Sequence, residues 1–116
     1  PTSAVVDTSP KAAQAQLSVE TLLLHPRRGE PVAIQAELAL SPVEQETGLM
    51  FRTDLAEQAG MLFYFPEDNL RVMWMKNTPL SLDMLFIARD GRILQIEPHT
   101  TPFSQRTIMS EQDAAE

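Results

Sequence analysis

The residues of this 116-residue chain that could do chemistry are few, and they gather in its middle. Trp74-Met75-Lys76-Asn77-Thr78 sets an aromatic, a cation, an amide and a hydroxyl side by side at the end of an apolar run, just before Pro79. Asn77-Thr78-Pro79 must turn the chain, so these polar groups emerge where a strand stops. With Trp74 as a wall they could form a small-ligand pocket. The plainer reading makes Trp74 core, lets Lys76 extend its stem toward solvent, and has Asn77 bond the turn. Asp83 stands in Leu82-Asp83-Met84-Leu85-Phe86-Ile87, with Leu85 and Ile87 on its own face of an alternating strand. A carboxylate desolvated there needs a partner. Arg52 is the leading candidate, because a guanidinium pairs bidentately with a carboxylate; Lys76 is the second. Such a pair is either a structural bridge or turn cap, or it leaves a cation facing a cleft that takes an anionic or polyol ligand.

The six methionines include Met73 and Met75, two thioethers on one strand face, the soft ligands copper(I) prefers. Methionine equally fills irregular gaps in a core, and no metal site is expected. His25 and His99 lie in different turns, each without a second histidine or a close carboxylate at ligand spacing. The chain has no cysteine, which removes disulfides, thiolate metal sites and a thiol nucleophile. Its four glycines form neither a phosphate-cradling loop nor a G-x-S-x-G elbow, so no cofactor is expected.

The formal net charge is -7, and no basic run exceeds Arg27-Arg28. Polyanions select basic patches, so nucleic acid and anionic membrane surfaces are poor partners. No stretch approaches the ~18 apolar residues of a membrane span. The hydrophobic share of 43% suits a globular domain, expected to be soluble and acidic.

The elements that must hold these residues read as strands. Residues 1–16, rich in Ala, Ser, Thr, Gln and Pro, are expected to be a flexible leader to a single β-rich domain over 17–116. The chain begins at Pro1 rather than Met, which leads us to expect that an upstream segment, such as a signal peptide, has been removed. Residues 17–24 and 31–40 alternate and predict an antiparallel pair across the 25–30 turn, with Val32, Ile34, Ala36, Leu38 and Leu40 on one face and Gln35 and Glu37 on the other. Ser41-Pro42-Val43-Glu44 predicts a short helix opened by a capping box and ended at Gly48, and Thr53 could cap a second over 53–59.

Beyond Gly60, the apolar runs 61–65, 71–75 and 82–88 read as buried central strands separated by turn residues. Asp90-Gly91 predicts a hairpin to a strand over 92–98. A last short strand is expected at 107–109. The fold class is therefore mainly β: an antiparallel β-barrel or two-sheet sandwich of about six strands with one or two short helices.

Four motifs carry a resemblance. Gly48-Leu49-Met50-Phe51-Arg52, Gly60-Met61-Leu62-Phe63-Tyr64-Phe65, Trp74-Met75-Lys76-Asn77-Thr78 and Leu82-Asp83-Met84-Leu85-Phe86-Ile87, in this order, resemble the domain-of-unknown-function 192 family over about residues 17 to 108. The resemblance implies a small β-rich domain of a kind often made with a signal sequence, and no established activity. By position it carries over Arg52, Lys76, Asn77, Thr78 and Asp83. It also implies a further apolar strand and Gly-Asp turn near the C-terminus, where this chain has Ser110-Glu111-Gln112-Asp113-Ala114-Ala115-Glu116. A missing last strand would leave an open sheet edge, through which a dimer could form.

The expectation is thus a non-enzymatic, exported or periplasmic domain that binds a small ligand or a protein partner. Arg52, Trp74, Lys76, Asn77, Thr78 and Asp83 are its candidate binding residues. One rival is a hydrolase or lyase with Asp83 or Lys76 as acid or base. The other is a purely structural or accessory role.

Overall fold

A computed structural model describes residues 10–67 and 69–116. The part of the expected leader that precedes residue 10 lies outside the described residues. Strand β1 (Val19–Leu24) runs antiparallel to β2 (Val32–Ala39), with Val19 opposite Glu37 and Leu24 opposite Val32, as the alternation of both segments requires. Helix α1 (Pro42–Thr47) follows at once. Ser41 caps it: its hydroxyl accepts from the Glu44 amide, and the Glu44 carboxylate accepts from the Ser41 and Leu40 amides. Those two amides hold the Glu44 carboxyl below its usual range.

The helix carries the chain across to β3 (Ala59–Phe63), which pairs with β2 in parallel, Gln35 opposite Ala59 and Ala39 opposite Phe63. This is one departure from an all-antiparallel reading. A parallel pair needs a crossover, and the short capped helix supplies it. Gln45 on α1 secures the arrangement by donating to Ala39 O (3.1 Å) and Tyr64 O (2.8 Å), so one amide ties the ends of β2 and β3 together. No second helix forms over 53–59: the Ala59 amide turns back onto Ala56 O, and Gln58 O accepts from the β2 residue Gln35, so strand pairing claims the segment.

The remaining strands are shorter. β4 (Val72–Met73) pairs antiparallel with β7 (Ile108–Met109), and β5 (Met84–Ile87) with β6 (Ile93–Glu97) through the expected Asp90-Gly91 turn. In that turn Asp90 accepts from the Arg92 amide and Gly91 sits at φ 92°. The 71–75 run is not the buried central strand its composition suggests. Only two of its residues pair, and Val72 and Trp74 are exposed, while Met75 is fully buried.

The C-terminal residues join the separate sheets. Ala114 exchanges backbone hydrogen bonds with Asn69, the Phe65 amide donates to Ala115 O, and Ala115 and Glu116 bond Ile87 of β5. Ala114 and Ala115 are 0% and 1% exposed. An extended segment thus fills the gap between the continuation of β3 and the edge of β5, where the sequence suggested an open edge. Small side chains suit that gap, because backbone must approach backbone on both sides. The described strands close no continuous barrel; they fall into three small sheets, an arrangement consistent with a sandwich. The core is small-sided, built on Ala36, Ala39 and Ala88 with Met50, Met75 and Phe86 as its bulk.

Gly48 ends α1 at φ 49°, and a Cβ there would lie 3.0 Å from the Phe63 ring. Gly48→Ala meets both the φ penalty and a clash with β3, and is expected to cost about 2 kcal/mol. Gly91→Ala, with open space around its Cβ, is expected to cost about 1 kcal/mol. Urea unfolding midpoints of the two variants measure the difference.

Candidate functional site

Arg52 has a partner, but not Asp83. Its guanidinium grips both carboxylate oxygens of Glu37 on β2, with Nη2 2.8 Å from Oε1 and Nη1 bonded to Oε2. The side chains are 15% and 8% exposed, so the bridge is largely desolvated. Alternation placed Glu37 on the polar face of β2, but the second half of that strand is covered on both faces, and Glu37 is buried. The Leu17 amide adds a bond to Glu37 Oε1 (2.9 Å), and Arg52 Nη2 reaches Gln14 O at 3.5 Å. Gln14 in turn donates to Glu44 O and Gly48 O at the end of α1. Residues 14–17 therefore lie as a strap over the ion pair and the helix terminus. The bonds from Arg52 hold the Glu37 carboxyl below its usual value against the opposing effect of burial, with the Leu17 amide adding to the lowering.

Asp83 is exposed and lies one residue ahead of β5, outside the apolar strand interior. Its Oδ1 accepts from the His99 amide (2.9 Å), so it caps a turn. The desolvation that would have demanded a cation is absent at this position. Trp74 is 43% exposed, and the Lys76 ammonium lies 5.3 Å from its ring centroid, a cation–π contact at the surface. Asn77 adopts φ 57°, its carbonyl accepts from the Phe51 amide (2.7 Å), and its Nδ2 lies 3.9 Å from Met50 Sδ. Thr78 is buried; its hydroxyl donates to Lys76 O, and its carbonyl accepts from the Phe103 amide (2.9 Å).

These bonds converge on the loop between β6 and β7. Met75 N donates to Ser104 O, and Thr78 O and Asp83 receive the amides of Phe103 and His99. Thr100 is buried and clasps Leu82: its hydroxyl accepts from the Leu82 amide and donates to Leu82 O, each at 2.9 Å, and its own amide donates to Leu82 O at 2.8 Å. Ser81 Oγ completes the set on Thr100 O (2.7 Å). His99 and Phe103 are held at φ 52° and 62°, an uncommon conformation for residues other than glycine.

The loop they fix walls a cleft of about 320 Å³. Glu97, His99 and Arg106 supply its charged and titratable groups. Thr101, Ser104 and Thr107 bring hydroxyls, Thr100 lines the cleft with its own hydroxyl spent on Leu82, and Met75 and Ile108 give an apolar side. None of the six candidate residues lines this cleft; Thr78 and Asp83 hold the loop that does. The lining residues 97–108 carried no motif in the sequence, only a polar, turn-rich composition. Among the described residues, the side chains of His99 and Arg106 have no hydrogen-bonding or ionic partner. No group of three or more His, Asp or Glu side chains is placed to hold a metal ion, and no helix is long and apolar enough to cross a membrane, again among the described residues.

The fold and this cleft define a mainly β domain with a small polar recess at one end of its sheets. The family model described as DUF192, an uncharacterized ACR, matches residues 24–116, and the chain belongs to that family. Among solved structures it is similar to a proposed transcription regulator from Sinorhizobium meliloti 1021, with 41% identity and a TM-score of 0.84, covering 89% of this chain and 80% of the other. It is also similar to a protein of unknown function from Novosphingobium aromaticivorans DSM 12444, with 26% identity and a TM-score of 0.82, covering 97% and 84%. No match is found among the curated proteins.

Glu37→Gln removes the charge that Arg52 was buried against and is expected to cost about 3 kcal/mol. Because the folded-state pKa of Glu37 is lowered, its contribution is fully present above the ordinary carboxylate pKa. It is lost as pH falls from there through the lowered value. Acid titrations of stability should therefore show a flatter acid limb in the variant; parallel limbs would contradict the assignment.

Proposed function

We propose that this domain binds a small polar ligand, without transforming it, in the cleft between β6 and β7. The observation that carries the reading is a loop over-determined by its surroundings. Six hydrogen bonds from Met75, Ser81, Leu82 and Asp83 and two non-glycine residues at positive φ hold a wall. From that wall His99 and Arg106 face the cleft with no partner of their own among the described residues. Backbone strain of this kind persists where the surrounding structure enforces it, and it gathers at binding sites. A volume of about 320 Å³ falls at the lower end of the range that holds small molecules.

The acid–base alternative loses its premise at Asp83, which is exposed and spends its carboxylate on a turn. The Sinorhizobium relative is described as a proposed transcription regulator; were this chain to act in that way, its net charge of -7 argues against direct contact with DNA. A site in the cell envelope is part of the proposal; the Ala/Ser/Thr/Gln-rich composition of 1–16 and the family resemblance support it.

Amide chemical shifts of the ¹⁵N-labelled domain, titrated with pooled polyols, carboxylates and amino acids, test the reading. Perturbations confined to residues 97–108, and weakened about fivefold or more by Arg106→Gln, are expected. Perturbations that cluster elsewhere, or none at millimolar ligand, would overturn it.

A further inference from the structure

The cleft contains two opposite charges that do not meet. Glu97, at the end of β6, and Arg106, just ahead of β7, line the same space, yet no ion pair joins them among the described residues. Opposite charges near a surface attract one another only weakly, so each stays available to a partner that engages it directly. The two strand ends are tied to each other by a β6 side chain. Gln95 Nε2 bonds Met109 O on β7 and also Glu97 Oε1, each at 3.0 Å, and Gln95 Oε1 accepts from the Glu111 amide at 2.8 Å. One amide thus sets the spacing of β6 and β7 and engages one oxygen of the Glu97 carboxylate. The second oxygen and the whole guanidinium of Arg106 are left without a partner among the described residues.

We infer that the ligand is a small zwitterion of amino-acid size, its carboxylate on Arg106 and its ammonium on Glu97. The inference rests on the proposed binding function and names the ligand class for the same cleft. An anion alone would satisfy Arg106 and be repelled by Glu97; a cation alone would do the reverse. A neutral polyol gives no reason for two separated charges. A molecule carrying both charges a few bonds apart satisfies each wall. The apolar flank of Met75 and Ile108 suits an aliphatic side chain on that molecule, and Thr101 and Thr107 supply hydroxyls at the rim. Arg106 is exposed and Glu97 half-buried, so the expected affinity is weak, about millimolar.

Leucine, N-acetyl-leucine and leucinamide separate the two ends, with glucose as the neutral comparison, each titrated into the ¹⁵N-labelled domain. The expected result is that leucine shifts the 97–108 amides and that each blocked form binds about fivefold more weakly or worse. Glu97→Gln should erase the preference for leucine over N-acetyl-leucine and keep its preference over leucinamide; Arg106→Gln should do the converse. Loss of folding cannot produce that crossed pattern. Equal binding of all three leucine forms, or binding of glucose alone at 97–108, would overturn the zwitterion while leaving the binding function standing. No perturbation of 97–108 by any of the four, with the pooled polyols, carboxylates and amino acids of the earlier titration still binding there, would also overturn the zwitterion. Silence in both titrations would remove the two together.

Discussion

Glu37 and Arg52 are brought together from a strand and from the loop beyond the following helix, and each would be costly to bury without the other. Their bridge holds β2, the end of α1 and the strap of residues 14–17 in one place. Phe51, next to Arg52, donates its amide to Asn77, and Asn77 leads into Thr78, which supports the loop at Phe103. The path from the bridge to the cleft is therefore short and made of directional bonds. The loop does not depend on the bridge alone, since Leu82 and Asp83 hold its other end.

The polar middle of the sequence reads differently in this frame. Trp74 to Asp83 looks like a binding surface because aromatic, cation, amide and carboxylate stand close together. In the fold, most of its directional bonding is spent inward: Met75, Thr78, Leu82 and Asp83 all contact the 98–104 segment. The division of labour is ordinary for a site on a loop, where the groups facing the ligand are surface residues and the groups that fix them are partly buried.

Local signals in the sequence were legible and long-range ones were not. The strand in 31–40, the Ser41/Glu44 capping box and the Asp90-Gly91 turn each involve residues a few positions apart, and each forms in the fold. Alternation puts Glu37 on the polar face, because it records one covered face of a strand, whereas the strap and the crossover cover both. Its pairing with Arg52 spans that crossover, so periodicity carried no trace of it. The apolar neighbours of Asp83 imply desolvation, but β5 begins at Met84, and a one-residue offset is enough to expose a side chain. The cleft residues 97–108 were hidden for another reason. Pro98 and Pro102 mark turns, and a polar stretch between turns looks the same whether it walls a recess or trails in solvent.

The joining segment 114–116 governs the order in which the molecule can be assembled. Its partners, Phe65, Asn69 and Ile87, belong to stretches made well before it. On a ribosome those stretches emerge while the residues that must lie between them are still in the exit tunnel. The hairpins β1–β2 and β5–β6 can form early from local contacts, but the gap between their sheets stays unfilled until the last of this region is released. Contacts of such long sequence separation are slow to close. For that interval the facing edges of Phe65 and Ile87 are exposed strand donors and acceptors, the kind of surface that chaperones and neighbouring chains compete for.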